Sequence, residues 1–502
     1  MPTNRNKILV APTKGLNAKA NLMAMAPDEA LVLENWIPYP DALEMRPGNS
    51  NHVTGAASPL LRLWTYSSNS GVESLWATSN TGIYNVTAAG ALPALSIALT
   101  NGQTIATSIS TGANNYMMVV NGTDTLKQYD GAAWSSVALF GATATSVYSY
   151  IETYQQRIFL IRKNTLTLEY LPINSISGTP VTYDLGAIFR RGGRLVALGT
   201  WTIDGGVGAN DKLVAVTSQG EVAIFSGSDP SSASTWTNEG VYYIGKPLGN
   251  QPLTKAGGDL IYISEVGIFP ISKALQSVAI EYNQAISDKI QPILSLLADN
   301  FGSTDGWQVI LQPSIPLLIL NVPSSPLRVQ YCLHTSGGGW CSFSGWSANN
   351  FGRLDKVLYF ATNTGVQKVE GTSDAGVDIV ATMLSAYTQL NYLSTKRVTA
   401  MRPFFQPQAP FSYVLAMAND FETNPGGALI PPASSAPYSV WGTGIFGLSY
   451  WGSSDSVLQD WRAPADLPKS WKAVYIQVTS KVSTIRYLGA EAKLLIGKGM
   501  GY

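Results

Sequence analysis

The stretch LIYISEVGIFPIS, Leu260 to Ser272, is an apolar run, a short polar break closed by a glycine, and a second run that alternates. The same phrase returns as LWATSNTGIYNVT (Leu75 to Thr87), LVAVTSQGEVAIFSG (Leu213 to Gly227) and LYFATNTGVQKVEG (Leu358 to Gly371), with the glycine at the same point, at Gly82, Gly220, Gly267 and Gly365. Two runs of period two across a polar turn predict a β-hairpin, the glycine supplying a positive φ that β-branched residues resist. Looser copies fill the gaps: YMMVVNGTDTLKQYDG (Tyr116 to Gly131), RIFLIRKNTLTLEYL (Arg157 to Leu171) and LLILNVPSSPLRVQYCL (Leu317 to Leu333).

Turn centres near 82, 123, 164, 220, 267, 324 and 365 are separated by about 41 to about 57 residues, which brackets a four-stranded propeller blade. The coils of a stacked β-solenoid are shorter, about 20–30 residues. A tryptophan in a small, polar setting follows some hairpins, at Trp134, Trp236, Trp340 and Trp346, and is expected to pack between neighbouring blades. The pattern predicts an all-β chain, a β-propeller of seven or eight blades over residues 56–385, with an N-terminal arm over 1–55 and a further β-rich region over 386–502.

In the arm, APDEALVLENWIP reads as a short helix, with Pro27 in its first turn, Asp28 and Glu29 at its positive end and Pro38 stopping it. Beyond Ala386 the spacing is lost. FSYVLAMAND (Phe411 to Asp420), WKAVYIQVTS (Trp471 to Ser480) and IRYLGAEAKLLIG (Ile485 to Gly497) read as strands. The Pro/Gly/Ser loop from Asn424 to Gly452 is longer than a compact domain leaves unpaired, so outside contacts are expected to hold it.

Composition agrees with a β-protein: 13% charged, 10% aromatic, with abundant glycine. Lys plus Arg equals Asp plus Glu at 32 each, so no global field draws the chain to nucleic acid or an anionic membrane. The first residues carry no apolar stretch of signal-peptide length and no apolar run is long enough to cross a bilayer, so the expectation is a protein made in the cytosol. Cys332 and Cys341, nine apart on a presumptive hairpin, are either two buried reduced thiols or a disulfide across it.

Histidine-dependent chemistry has little to work with, since the chain holds only His52 and His334. Cys332 and His334 fall on one strand face, where a metal or thiolate pair competes with two partly buried polar side chains and no further ligand lies nearby. TSDAGVDI (Thr372 to Ile379) has three positions of a sialidase aspartate box, with Ile379 where an aromatic is expected, and fits a plain β-turn better. GKGMGY at Gly497 to Tyr502 has no following helix to form a phosphate loop. FRRGGR places Arg190, Arg191 and Arg194 together, a solvated turn or a contact for DNA phosphate or an acidic partner. No catalytic, cofactor or metal-binding residue is assigned, and an enzyme is not expected.

PTKGLNAKANLMAMAPDEALVLENWIPYPDALEMRPG (Pro12 to Gly48) resembles the opening of a family of bacteriophage virion proteins, in which such a phrase introduces a β-propeller. FRRGGRLVALGTW (Phe189 to Trp201), TSQGEVAIFSGSDPSSASTW (Thr217 to Trp236), IGKPLG (Ile244 to Gly249), GGDLIYISEVGIFPIS (Gly257 to Ser272) and GGGWCSFSGWSANNF (Gly337 to Phe351) are similar to the same family. The resemblance runs over residues 12–390 and implies a tail nozzle of a short-tailed phage. That is a homohexameric ring below portal and head–tail adaptor that contacts tail fibre or needle proteins, retains packaged DNA and lets it pass at ejection. It implies no cofactor, and a place in the virion tail after assembly in the host cytoplasm. Two other readings stand beside it: a carbohydrate-binding or glycan-degrading propeller that stacks sugars on Trp340, Trp346, Trp441 and Trp451, and a WD-type scaffold, whose GH and WD dipeptides do not recur.

Overall fold

The computed structural model describes residues 3–496, apart from 113, 140–146, 205–208, 275–284, 313, 408–410, 424, 428, 431–456 and 482–483. The chain is all-β, and among the described residues seven antiparallel sheets follow one another as blades. Their innermost strands are Arg62–Ser67, Ile105–Ser110, Tyr148–Tyr154, Leu195–Asp204, Leu253–Ala256, Gln308–Gln312 and Asn350–Leu354, for blades 1 to 7. Each predicted hairpin is the pair of strands next to the innermost one, from Glu73–Ser79 with Gly82–Asn85 in blade 1 to Val357–Ala361 with Gly365–Val369 in blade 7.

The glycines of the phrase have two different reasons. Gly220 has the expected left-handed backbone, φ 83°. Gly365 does not; a Cβ there would lie 1.9 Å from the carbonyl of Val53. Its job is close approach, because the strand beside it comes from the other end of the chain. Asn49–Thr54 pairs antiparallel with Gly365–Val369, Thr54 opposite Gly365 and Asn49 opposite Val369, and so closes the ring.

Neighbouring blades are held at the axis by polar latches. Asn350 accepts from the Leu63 backbone at 2.9 Å, Trp64 Nε1 donates to Thr104 at 2.9 Å, and Thr107 bonds Thr153 at 3.0 Å. Thr200 reaches the Thr153 carbonyl at 3.0 Å, Thr254 the Val309 carbonyl at 2.8 Å, and Gln308 bonds both backbone groups of Phe351. Between blades 4 and 5 the contact is apolar: Leu260 and Leu253 methyls lie 2.9 and 3.0 Å from where a Cβ on Gly199 would be. Further out, the aromatics pack as the sequence predicts. Trp134 of blade 2 meets Trp76 of blade 1 with ring centroids 5.2 Å apart. Trp236 lies against Phe159 of blade 3 and Phe225 of its own blade, and Trp346 stacks on Phe360 of blade 7.

The expected helix over APDEALVLENWIP is absent; Ala30–Glu34 and Trp36–Pro38 are strands. Ala30, Leu33, Trp36 and Ile37 are all buried, and a left-handed Asn35, φ 59°, turns the chain between the two strands. Pairing on both sides decides the matter: Glu34 runs parallel to Ser342 of blade 6, while Ala30–Glu34 pairs antiparallel with Ile379–Ser385. Blade 6 therefore continues into a second sheet, through Ile379–Ser385, Lys472–Ser480, Ser412–Asn419 and Leu429–Ile430. Another sheet joins Thr3–Val10, Ile485–Ile496, Lys396–Pro407, Leu43–Met45 and Trp36–Pro38. Met383, Leu415, Met417 and Ile476 of the one share a core with Met401, Phe405, Tyr487 and Leu494 of the other, continuous with Trp307 and Trp340 of the propeller. The residues of the predicted arm thus belong to the propeller and to this second body, and Ile379–Ser385 lies outside the propeller.

The joint centres on Arg46, whose side chain is 1% exposed. Its Nε donates to Asn35 Oδ1 at 2.8 Å, Nη1 to the Pro47 carbonyl and Asp374 Oδ1 at 2.9 Å each, and Nη2 to the Ser344 carbonyl and Asp374 Oδ2 at 2.6 Å each. All five donors of the guanidinium are used, and its plane lies over Trp346, 5.0 Å from the ring centroid.

Candidate functional site

At one end of the propeller axis a cavity of about 780 Å³ opens between blades 2 to 6. Its wall consists of turns and strand ends at that end of the blades and of the last turn of the helix Gln291–Phe301, with Gln103, Ser149, Arg194, Asn250 and Asp305 among the residues. Lys163, Arg194 and Lys246 bring positive charge to it, Glu265, Asp299 and Asp305 negative. Lys163 Nζ is tied to the Gly122 carbonyl at 2.8 Å, and Glu265 accepts from the Lys246 backbone at 3.3 Å.

Arg62 opens the innermost strand of blade 1, yet its Nη2 donates to Asn250 Oδ1, just before blade 5. The loop that carries Asn250 reaches over to this side of the ring, since the neighbouring Gln251 accepts from Asn350 of blade 7 at 3.3 Å. The residue is 0% exposed, and its Nε and Nη1 have no hydrogen-bond partner. Burial pushes its pKa down to about 10, with Asp305 and Tyr150 opposing and Arg328 adding to the shift. Arg328 Nη1 is likewise buried without a partner. Further along the channel Glu152 is half-buried by exposed area, but protein surrounds its carboxyl; that desolvation raises its pKa to about 7, against the pull of Lys255 and a bond from Thr200.

The arginine cluster is taken up by local structure. The Arg190 and Arg191 backbone N–H groups donate to the two oxygens of Glu221, at 3.1 and 2.8 Å. The Arg191 guanidinium lies 3.7 Å from the centroid of the Tyr243 ring. Arg194 alone of the three borders the axial cavity. Sequence reasoning missed Arg62. The available signal was a cation inside LLRLWTY, in a strand that otherwise wants apolar residues.

The remaining candidates are structural. His334 is buried, accepts the Gly337 N–H at Nδ1 (3.0 Å) and packs on Tyr39; burial lowers its pKa. His52 bonds the Val86 carbonyl at 2.9 Å. Cys332 and Cys341 face each other across one strand pair as free, buried thiols, and no group of three or more potential metal ligands occurs among the described residues. Asp374, the aspartate-box residue, is the partner of Arg46 and accepts from Asn49 at 2.8 Å. Trp340 and Trp346 are each 1% exposed, so neither offers a ring face for sugar stacking. Trp441, Trp451, most of the long loop and the GKGMGY end lie outside the described residues. Among the described residues no helix is long and apolar enough to cross a membrane.

No protein-family model matches the chain, and no curated protein matches it. Among solved structures, BBS1N in complex with ARL6DN is similar at 9% identity and TM-score 0.38, over 66% of this chain and 99% of that one. Raptor from Chaetomium thermophilum is similar at 11% and 0.39, over 65% and 29%, and YCF48 bound to D1 peptide at 10% and 0.35, over 66% and 96%. At these identities and scores none of the three bears on what this chain does.

Proposed function

We propose that this chain is a structural subunit of a short-tailed bacteriophage virion, a tail nozzle of six copies below the portal and adaptor, which retains DNA and passes it at ejection. The observation that carries the reading is where the phrase that resembles that family falls. Gly15 packs where a Cβ would lie 2.4 Å from the Trp340 carbonyl, and Asn17 bonds Glu29 at 2.8 Å. Asn35, Trp36, Arg46 and Gly48 complete the joint between propeller and second body. A motif that fastens two bodies suits a rigid wall component.

Two physical points fit the reading. The loop before blade 5 is tied to Arg62 of blade 1 and Asn350 of blade 7, which narrows the middle of the propeller, so a duplex would run through the middle of a ring of subunits, with the propellers set around it. A chain with equal positive and negative charge also avoids the strong, salt-dependent grip that many basic side chains exert on phosphate. The test is light scattering and electron microscopy of the purified chain mixed with its adaptor ring. The expected result is a rotationally symmetric particle of six times 53.7 kDa seated on the adaptor. A persistent monomer indifferent to the adaptor would overturn the proposal.

A further inference from the structure

We propose that Lys472 and Asn419 join through an intramolecular isopeptide bond, with Asp466 as the acid–base group that forms it. The strands Ser412–Asn419 and Lys472–Ser480 pair antiparallel, and their ends set Asn419 directly opposite Lys472. Residues so placed project to one face, here the face of Met417 and Val474, which are buried in the core shared with the neighbouring sheet. The side chains of Lys472 and Asp466 are both 0% exposed. Lys472 Nζ donates to Asn419 Oδ1 at 2.6 Å, to Asp466 Oδ1 at 2.5 Å and to the Leu467 carbonyl. Asn419 Nδ2 donates to the Met417 carbonyl at 2.9 Å, which holds the amide with its oxygen toward the amine.

An amine attacks a carboxamide when it is desolvated, has a base within hydrogen-bond reach and is held against the electrophile. All three conditions meet here. Burial lowers the pKa of Lys472 and raises that of Asp466, so moving the proton from nitrogen to oxygen costs less than in water. Asp466 takes one Nζ proton, the freed lone pair forms a bond to Asn419 Cγ, and the bond from Cγ to Nδ2 breaks as Nδ2 takes a second Nζ proton. The ammonia leaves as ammonium with the proton held by Asp466, and the carboxylate is restored. The balance needs no other reactant. Lys396 is the contrast: it is 1% exposed, but its Nζ partners among the described residues are the carbonyls of Tyr392, Ser394 and Ser470, with neither a carboxylate nor a side-chain amide. Asn419 and Lys472 are 53 positions apart. Their link closes the base of the segment that includes the long Pro/Gly/Ser loop, a constraint on the unfolded chain of the kind a disulfide imposes. The bond forms or fails whatever the role of the chain in a virion.

Mass spectrometry of the purified full chain, intact and after trypsin, tests it. The intact protein is expected to be lighter than its sequence requires by one ammonia. Trypsin cuts after Arg462 and Lys469, which separates the two strands when they are not linked. The expected map instead holds a branched product joining the peptide of Asn419 to that of Lys472, with no cut after Lys472 and the ordinary cut after Lys396. Asp466→Asn and Lys472→Arg are expected to keep the full mass and to give separate peptides. Separate, unmodified peptides from the wild-type chain overturn the proposal. So does loss of ammonia without a joined pair, which marks a succinimide at Asn419. The wild-type map decides the matter even where neither variant folds, and a joined product that persists in Asp466→Asn overturns the part given to that residue.

Discussion

Glu152 shows at the residue scale how the propeller axis changes ordinary chemistry. Its carboxyl is surrounded by the innermost strands, and desolvation outweighs Lys255 and Thr200, so it holds its proton up to about pH 7 against an ordinary value of 4.5. A carboxyl with a raised folded pKa contributes stability that is fully present below the unfolded value and is lost as pH climbs through the folded one. The urea midpoint is therefore expected to fall between about pH 5 and about pH 8, and to fall less in Glu152→Gln, where nothing ionises. Parallel profiles for the two proteins would remove Glu152 from the account. Arg62 lies in the same channel with the opposite sign, and burial lowers its pKa only to about 10. It stays charged throughout that window and adds nothing to the slope, and His334, whose pKa burial lowers, acts in the opposite sense in both proteins, so the difference between the two profiles belongs to the carboxyl.

At the scale of elements, the blade hairpins were legible because a hairpin is local. Its alternation, turn residues and small closing residue all lie within some fifteen positions of one another. What completes the blades was not. Asn49–Thr54 meets its partner across more than 300 positions, as the Ser50–Glu370 bond with separation 320 illustrates, and such a strand carries no sign of which sheet it will join. The segment Ala30–Glu34 misled for a related reason: its proline and acidic residues satisfy a helix start locally, and only pairing with blade 6 on one side and Ile379–Ser385 on the other overrides that preference. Arg62 shows locally only as a cation inside LLRLWTY; nothing near it says that its partner is Asn250, 188 positions away. Gly365 gives the closing strand a direct test. A Cβ there would lie 1.9 Å from the Val53 carbonyl, so Gly365→Ala pushes the ring's last strand away, whereas a Cβ at Gly426 meets nothing within 4 Å. Hydrogen exchange is expected to speed up across Asn49–Thr54 in Gly365→Ala and stay unchanged in Gly426→Ala. Equal protection in both would mean that the closing strand does not depend on that approach.

For the whole molecule, the governing feature is that propeller and second body have no linker between them. One sheet runs from blade 6 through Ala30–Glu34 into Ile379–Ser385, one core joins Trp307 and Trp340 to Met401 and Phe405, and Arg46 ties Asn35, Ser344 and Asp374 at the seam. Bodies joined by loose linkers unfold separately, while bodies that share a core lose both sets of contacts together. Calorimetry of the intact chain is accordingly expected to give one transition. Arg46→Ala leaves the partly buried Asp374 without its cation and strips five hydrogen bonds from the seam, a loss at or below the lower end of the about 3–5 kcal/mol of a broken, fully buried pair. Since neither body's interior is touched elsewhere, the loss falls on their coupling, and the single transition is expected to split, with one component at lower temperature. Arg46→Lys tests the same point more finely: it restores the charge but presents three donors in place of a planar fork of five, so it is expected to recover only part of the coupling. Two transitions already present in the wild-type chain, or a single unshifted one in Arg46→Ala, would show that the seam does not bind the two bodies into one unit.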